Sequence, residues 1–211
     1  LIAINKPAGW VVIPGRFHGH EVPVVSHAVG KLLNQKIYVV HRLDQGTTGV
    51  LLFALTAEMH RHLNGLFESQ KVEKKYFCLT TGGHLESQVI DAPLFKLPSK
   101  KNKSVVDPKG KPAVTNIKVI SENENAAFVE ASPKTGRTHQ IRVHLAHLGH
   151  PILGDRLYKG PETLSGLSFE RPLLHCYELA FRLPDGTPTV VRAALPSDME
   201  KACQKLGLTI S

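Results

Sequence analysis

Residues 41–56, HRLDQGTTGVLLFALT, decide how this chain is read. The first half, His41 to Gly49, is a polar stretch rich in Gly and Thr. The second half, from Val50, is a short apolar run bounded by turn residues, which reads as a buried strand. Polar loops beside rigid strands are where catalytic groups tend to sit. Asp44 is the only acid between Glu21 and Glu58. Its neighbours His41 and Arg42 supply positive charge, which favours an ionised carboxylate. The competing reading is that Asp44 only caps a turn.

Outward from this stretch, β-forming runs alternate with amphipathic ones, as in a mixed α/β or α+β domain. Strands are expected at 2–5, 37–40, 50–55, 72–81, 113–120, 126–132, 177–183 and 189–194. A helix is expected at 23–34. A second starts from Thr56 as N-cap and places Met59, Leu63, Leu66 and Phe67 on one face. A third runs from about Thr138 to Leu148 and stops at Gly149, with Pro151 beyond it. A fourth covers 197–206, starting from Ser197. No internal repeat is visible.

Composition narrows the class. The 211 residues carry a formal net charge of +8, with 42% hydrophobic and 21% charged residues, which describes a globular chain with a basic surface. The size fits one domain or two small ones. Such a surface calls for a polyanionic partner, nucleic acid first and anionic membrane second. No run of about 18 apolar residues is present to span a bilayer. Cys78, Cys176 and Cys203 are odd in number and widely spaced, so neither a disulfide framework nor a cysteine zinc site is expected, and a reducing cytoplasm is the simplest location. The opening LIAIN reads like the middle of a strand, so the expectation is that an N-terminal segment precedes it.

Three further segments carry candidate chemistry. Residues 134–145, KTGRTHQIRVHL, place Gly136 and Arg137 at an expected helix start, where free N–H groups suit phosphates and Arg137 can pair bidentately with a carboxylate or phosphate. His139, His144, His147 and His150 also invite a metal reading, but no HExxH and no carboxylate accompany them within the helix. Residues 72–79, VEKKYFCL, read as a strand with Lys74, Tyr76 and Cys78 on one face, and Tyr76 can stack on a base or serve as a core aromatic. Residues 96–112, KLPSKKNKSVVDPKGKP, hold six lysines and one aspartate. They read either as a solvated loop or as a basic arm on phosphates. Asp107-Pro108 and Lys109-Gly110 are turn signals for a hairpin there. GxxxxGK[ST], a strand-coupled GxGxxG and GxSxG are absent, and no second acid lies near Asp44 in sequence for two-carboxylate glycosidase chemistry.

In order along the chain, NKPAG (5–9), HRLDQGTTGVLLFALT (41–56), Lys74-x-Tyr76, GKPAVT (110–115), TGRTHQIRVHLAHLGHPILGD (135–155) and RPLLHCYEL (171–179) resemble the RluA-type pseudouridine synthases. The resemblance covers residues 3–195. Ile13-Pro14-Gly15-Arg16 is similar to the subgroup without an N-terminal S4 domain. Departures are small: Gln45-Gly46 stands where a basic residue is common, Thr48 where serine is frequent, and Cys176 where alanine is frequent.

This resemblance implies an α+β fold, a single pseudouridine synthase domain over 1–211. Its sheet would be twisted and mostly antiparallel, with helices around it and the active site in a central cleft. It implies isomerisation of uridine to pseudouridine in structured ribosomal or transfer RNA, with no cofactor and no metal. The nucleophile would be Asp44. Tyr76 would pack against the target base and is the candidate to take the C5 proton. Arg137 would pair with the aspartate, and Arg42 would help extrude the base. His41, Lys74, Lys111, His139, Gln140 and Arg142 are the other expected RNA contacts. The expected protein is a cytoplasmic monomer with RNA as partner, not a membrane. Attack at C1′, attack at C6 and abstraction of the 2′ proton would each use one aspartate, and all three stay open. Two rivals remain: an RNA-binding or ribosome-assembly protein without catalysis, and a metal-dependent nuclease built on the histidines.

Overall fold

The apolar run after Asp44 is a strand, and every residue of it, Thr48–Ala54, is buried. The computed structural model describes residues 1–15, 22–98 and 103–210. Arg16, Lys100 and Lys101, and parts of the expected 14–22 and 96–112 loops, therefore lie outside the described residues.

In chain order the elements begin β1 (Ile2–Lys6), α1 (Val25–Leu33), β2 (Tyr38–Val39), β3 (Thr48–Ala54), α2 (Ala57–Glu68) and β4 (Glu73–Thr81). Next come β5 (Gln88–Asp91), β6 (Leu94–Lys96), β7 (Ser104–Val106), β8 (Val114–Glu122), β9 (Ala126–Pro133) and α3 (Gln140–His147). A 3-10 turn (Arg156–Tyr158) is followed by β10 (Thr163–Leu164), β11 (Leu167–Ser168), β12 (Leu174–Arg182), β13 (Pro188–Arg192) and α4 (Ser197–Lys205). The chain divides into two compact units: Leu1–Glu73 with Cys176–Ala194, and Lys74–His175 with Leu195–Ser211.

In the first unit, β3 lies between β1 and β12, and β13 continues outward from β12. β1 and β3 are antiparallel, with Ile4 opposite Leu51 and Lys6 opposite Gly49. Gly49 has φ +109°, and a Cβ there would stand 2.2 Å from the Cys176 carbonyl oxygen, so this position requires glycine on two counts. α2 starts as expected: the Thr56 hydroxyl accepts the Met59 N–H at 3.2 Å, and Leu63 is the buried residue of its apolar face. α1 ends where Asn34 turns left-handed, φ +48°.

The second unit is an antiparallel sheet in the order β4-β9-β8-β5. β9 is apolar almost throughout because both of its faces are covered. Ala127, Val129 and Ala131 pack with Ile141 and Leu145 of α3, while Ala126 and Phe128 pack with Met199, Ala202 and Cys203 of α4. β4 divides the same way, Cys78 and Tyr76 facing the α3 side and Leu79 and Phe77 the α4 side. Together these elements make the α+β, mostly antiparallel fold the sequence led us to expect.

Two expectations shift. α3 begins at Gln140 rather than Thr138, because His139 holds φ +57°, outside the helical region. The basic hairpin exists as β6 and β7, Leu94 opposite Val106 and Lys96 opposite Ser104, with the Leu97 N–H donating to the Lys103 carbonyl at 2.9 Å. The Asp107–Gly110 turn instead folds the chain back after β7, where the Lys111 N–H reaches the Leu94 carbonyl at 2.9 Å. The Asp107 carboxylate closes that turn by accepting the Lys109 N–H at 2.8 Å.

Candidate active site

Asp44 sits half-buried on the loop between β2 and β3, and its carbonyl accepts the Thr47 N–H at 3.0 Å to close a tight turn. Two side chains pin this loop. Lys6, at the end of β1, is 0% exposed, and its Nζ donates to the carbonyls of Pro7 (2.9 Å), Trp10 (2.8 Å) and Gln45 (3.1 Å). A buried ammonium survives only with such partners, so Lys6 binds the 7–10 turn to the residue next to Asp44. The Gly9 N–H to Gln45 carbonyl bond (3.0 Å) and the Gln45 Nε2 to Gly9 carbonyl bond (3.0 Å) reinforce the same junction. On the other side, His41 Nε2 accepts the Leu52 N–H at 2.9 Å, and its ring stacks on Phe67 with centroids 4.8 Å apart. His41 thus fastens the loop to β3. Arg42, between His41 and Leu43, is exposed.

In the second unit Tyr76 is half-buried on β4, opposite Ala131 of β9, with its ring against the core on the α3 side. Lys74, two residues earlier on the same strand, is also half-buried.

Arg137 belongs to the loop that leads from β9 into α3. Its Nε donates to the Pro112 carbonyl at 3.0 Å, and its backbone N–H donates to Gln140 Oε1 at 3.0 Å. Thr135 zips the same loop to β8, accepting the Val114 N–H at 3.2 Å and donating its hydroxyl to Gln140 Oε1 at 2.7 Å. His139 is half-buried, with its Nδ1 3.0 Å from the Tyr158 hydroxyl. That hydroxyl also accepts the Ser104 N–H from β7 at 3.0 Å.

Among the expected RNA contacts, Arg42 and Lys111 are exposed. Gln140 and Arg142 are turned inward instead. Gln140 is 4% exposed and its amide is engaged by Thr135, Arg137, Val114 and Thr115. Arg142 holds the fully buried Asp155 through two bonds, 2.7 and 2.8 Å, and its guanidinium stands 5.2 Å from the Tyr158 ring centroid. Both side chains are interior supports, engaged within the protein rather than offered at the surface for the RNA contact expected of them. The histidines of the α3 segment are likewise separately employed: His144 bonds Thr115 and Ala92, and His150 donates to the Thr81 carbonyl at 3.1 Å. Among the described residues no three His, Cys, Asp or Glu side chains converge as metal ligands. No described helix is long and apolar enough to cross a membrane.

Sequence reasoning assigned nothing to Lys6, Thr115, Asp155 or Tyr158. Lys6, Thr115 and Asp155 do stand inside the quoted blocks, but nothing local announces a buried polar group whose partners lie far along the chain.

The family profile described as RNA pseudouridylate synthase matches residues 1–147. The chain is 34% identical to tRNA pseudouridine synthase C of Salmonella typhimurium over 225 residues, covering 98% of this chain and 86% of that protein. It is 34% identical to ribosomal large subunit pseudouridine synthase D of Zymomonas mobilis over 215 residues, covering 95% and 68%. Among solved structures, Human RNA Pseudouridylate Synthase Domain Containing 4 superposes with a TM-score of 0.81 at 28% identity, over 99% of this chain and 90% of that one. With its fold, its sequence blocks and these relatives in agreement, the chain belongs to the RNA pseudouridylate synthase family.

Proposed function

We propose that this protein isomerises uridine to pseudouridine in structured ribosomal or transfer RNA, with Asp44 as the reacting carboxylate and without a cofactor. The observation that carries the assignment of Asp44 is its seat. It is half-buried on a loop that Lys6 and His41 fasten to β1 and β3, which is how a side chain is held ready without moving.

The reaction breaks the N1–C1′ bond of uridine, turns the uracil and joins C5 to C1′. The proton leaves C5 and N1 gains one, so the atoms balance without an added reagent. Bond cleavage leaves positive character on the sugar or requires a nucleophile, and a fixed carboxylate supplies either need. The base must leave its stack first, at a cost of a few kcal/mol. Exposed Arg42 is suited to taking its place in the stack. Tyr76 is the proposed platform for the flipped base and acceptor of the C5 proton. Arg137 is proposed to keep the carboxylate ionised through the reaction. RNA is the partner, met by exposed lysines of the second unit, and the cytoplasm is the proposed site of action.

The test is tritium release from cellular RNA labelled at uracil C5, taken from a strain lacking this gene. Wild-type protein should release tritium without added metal or nucleotide, and Asp44→Asn should not. Release by both proteins would remove Asp44 as the reacting group. Release by neither, with RNA binding intact, would replace the enzyme by a non-catalytic RNA-binding protein.

A further inference from the structure

Gln140 faces Arg137 at one end of a chain of hydrogen bonds whose direction the structure determines at every step. The Ala92 carbonyl can only accept, and His144 Nε2 lies 3.0 Å from it, so Nε2 carries the proton. The Gln140 amide nitrogen donates one proton to the Val114 carbonyl at 2.9 Å and the other to Thr115 Oγ1 at 3.0 Å. Burial keeps the imidazole from taking a second proton, so with Nε2 protonated Nδ1 is bare and accepts the proton of the Thr115 hydroxyl, 2.9 Å away. His144 is thus a neutral imidazole in one tautomer, fully buried between α3, β8 and the residue after β5. The remaining end of the amide, Oε1, accepts the Thr135 hydroxyl at 2.7 Å and the Arg137 N–H at 3.0 Å. Rotating the amide by half a turn would set its NH₂ against the Arg137 N–H and its oxygen against the Val114 carbonyl. Both contacts are repulsive and buried, so only one orientation is stable.

We propose that Gln140 is a positioning residue for Arg137, and that Thr115, held in turn by the neutral His144, braces the amide in the one orientation that the Val114 carbonyl and the Arg137 N–H allow. None of the three needs to touch RNA. Thr115 and His144 are completely shielded from solvent, and Gln140 is nearly so. Their effect reaches the reaction through the backbone of Arg137, whose Nε is anchored separately to Pro112. The inference rests on the reading of Arg137 as a catalytic group. A displacement of one ångström at such a group costs up to roughly a hundredfold in rate.

Thr115→Val keeps the shape and removes the hydroxyl, so the Gln140 NH₂ loses an acceptor and His144 Nδ1 loses its donor. Thr115→Ser keeps the hydroxyl. Single-turnover kinetics on the target RNA should show kcat reduced about tenfold or more in Thr115→Val. KM should stay within about twofold and Thr115→Ser should restore the rate, since the hydroxyl and not the packing is at issue. Arg137→Ala is run beside them. If Arg137→Ala loses rate while Thr115→Val does not, the positioning role falls and the catalytic reading of Arg137 stands. If Arg137→Ala keeps its rate, both fall. A loss in Thr115→Val that serine does not rescue, or that appears in KM, also overturns the proposal. A readout on the unaltered protein removes dependence on any variant folding. Imidazole ¹⁵N spectra should show His144 with a protonated Nε2 and a bare Nδ1 at neutral pH. A protonated Nδ1 would overturn the inference directly.

Discussion

Arg142 clasps Asp155 edge to edge, Nε to Oδ2 at 2.7 Å and Nη2 to Oδ1 at 2.8 Å, with the carboxylate entirely out of water. This fork-to-fork geometry is the strongest arrangement available to such a pair. It ties the middle of α3 to the turn that carries Tyr158, whose hydroxyl bonds Ser104 and His139. Removing one partner would strand a buried charge. Asp155→Asn should therefore cost about 3–5 kcal/mol, read as a lower urea midpoint. An unchanged midpoint would show that the pair is solvated in the working protein.

Lys6 offers a second buried charge, set beneath the Asp44 loop. Lys6→Met keeps the apolar stem and deprives the Pro7, Trp10 and Gln45 carbonyls of their shared donor. Unsatisfied buried groups cost about 1–3 kcal/mol each. We expect a clear fall in melting temperature and, under conditions where the variant is still folded, a slower single-turnover rate with RNA affinity retained. A full rate in folded Lys6→Met would mean the loop holds its shape without this tether.

His144 gives the stability a pH dependence with a definite sign. Burial holds its imidazole below the ordinary value of 6.5. The Ala92 carbonyl and Asp91 pull the other way, and nearby His147 adds to the lowering. As pH falls through 6.5, the unfolded chain takes up a proton that the folded chain refuses, so unfolding is favoured. This contribution is fully present above 6.5 and is lost progressively below it, toward the lower folded value. Melting temperature should decline with acid over that window, and the decline should be shallower in His144→Gln. Equal slopes in the two proteins would assign the acid sensitivity elsewhere.

The exposed lysines of the 96–112 segment set the salt dependence of RNA binding in this reading. Lys96, Lys109 and Lys111 are all at the surface. Removing a lysine that neutralises one phosphate should reduce the slope of log K against log salt by about 0.7–0.9. The triple alanine variant should therefore lose affinity about equally across RNA sequences, with a shallower slope. A wild-type slope would leave this segment as a solvated loop.

Local pattern in the chain was enough for most of the fold. The run after Asp44 became β3, and Thr56 capped α2 through the Met59 N–H. Such features depend on neighbours a few residues apart, whose preferences are readable directly. β5 was missed because Gln88–Asp91 is short and carries only one buried residue, Ile90. It becomes a strand by pairing with β8.

The candidate site divides along the same line. The sequence alone marked Asp44, Tyr76 and Arg137 through the blocks they occupy. Only the tertiary structure decided that Gln140 and Arg142, next to Arg137 in the chain, face inward. Their partners, Thr115 and Asp155, stand 25 and 13 residues away, and Lys6 meets Gln45 across 39. A polar side chain that looks ready for phosphate in sequence is buried when the fold delivers a matched donor or acceptor to it. Without that partner, burial would be too costly, and the partner is known only once distant strands have been brought together.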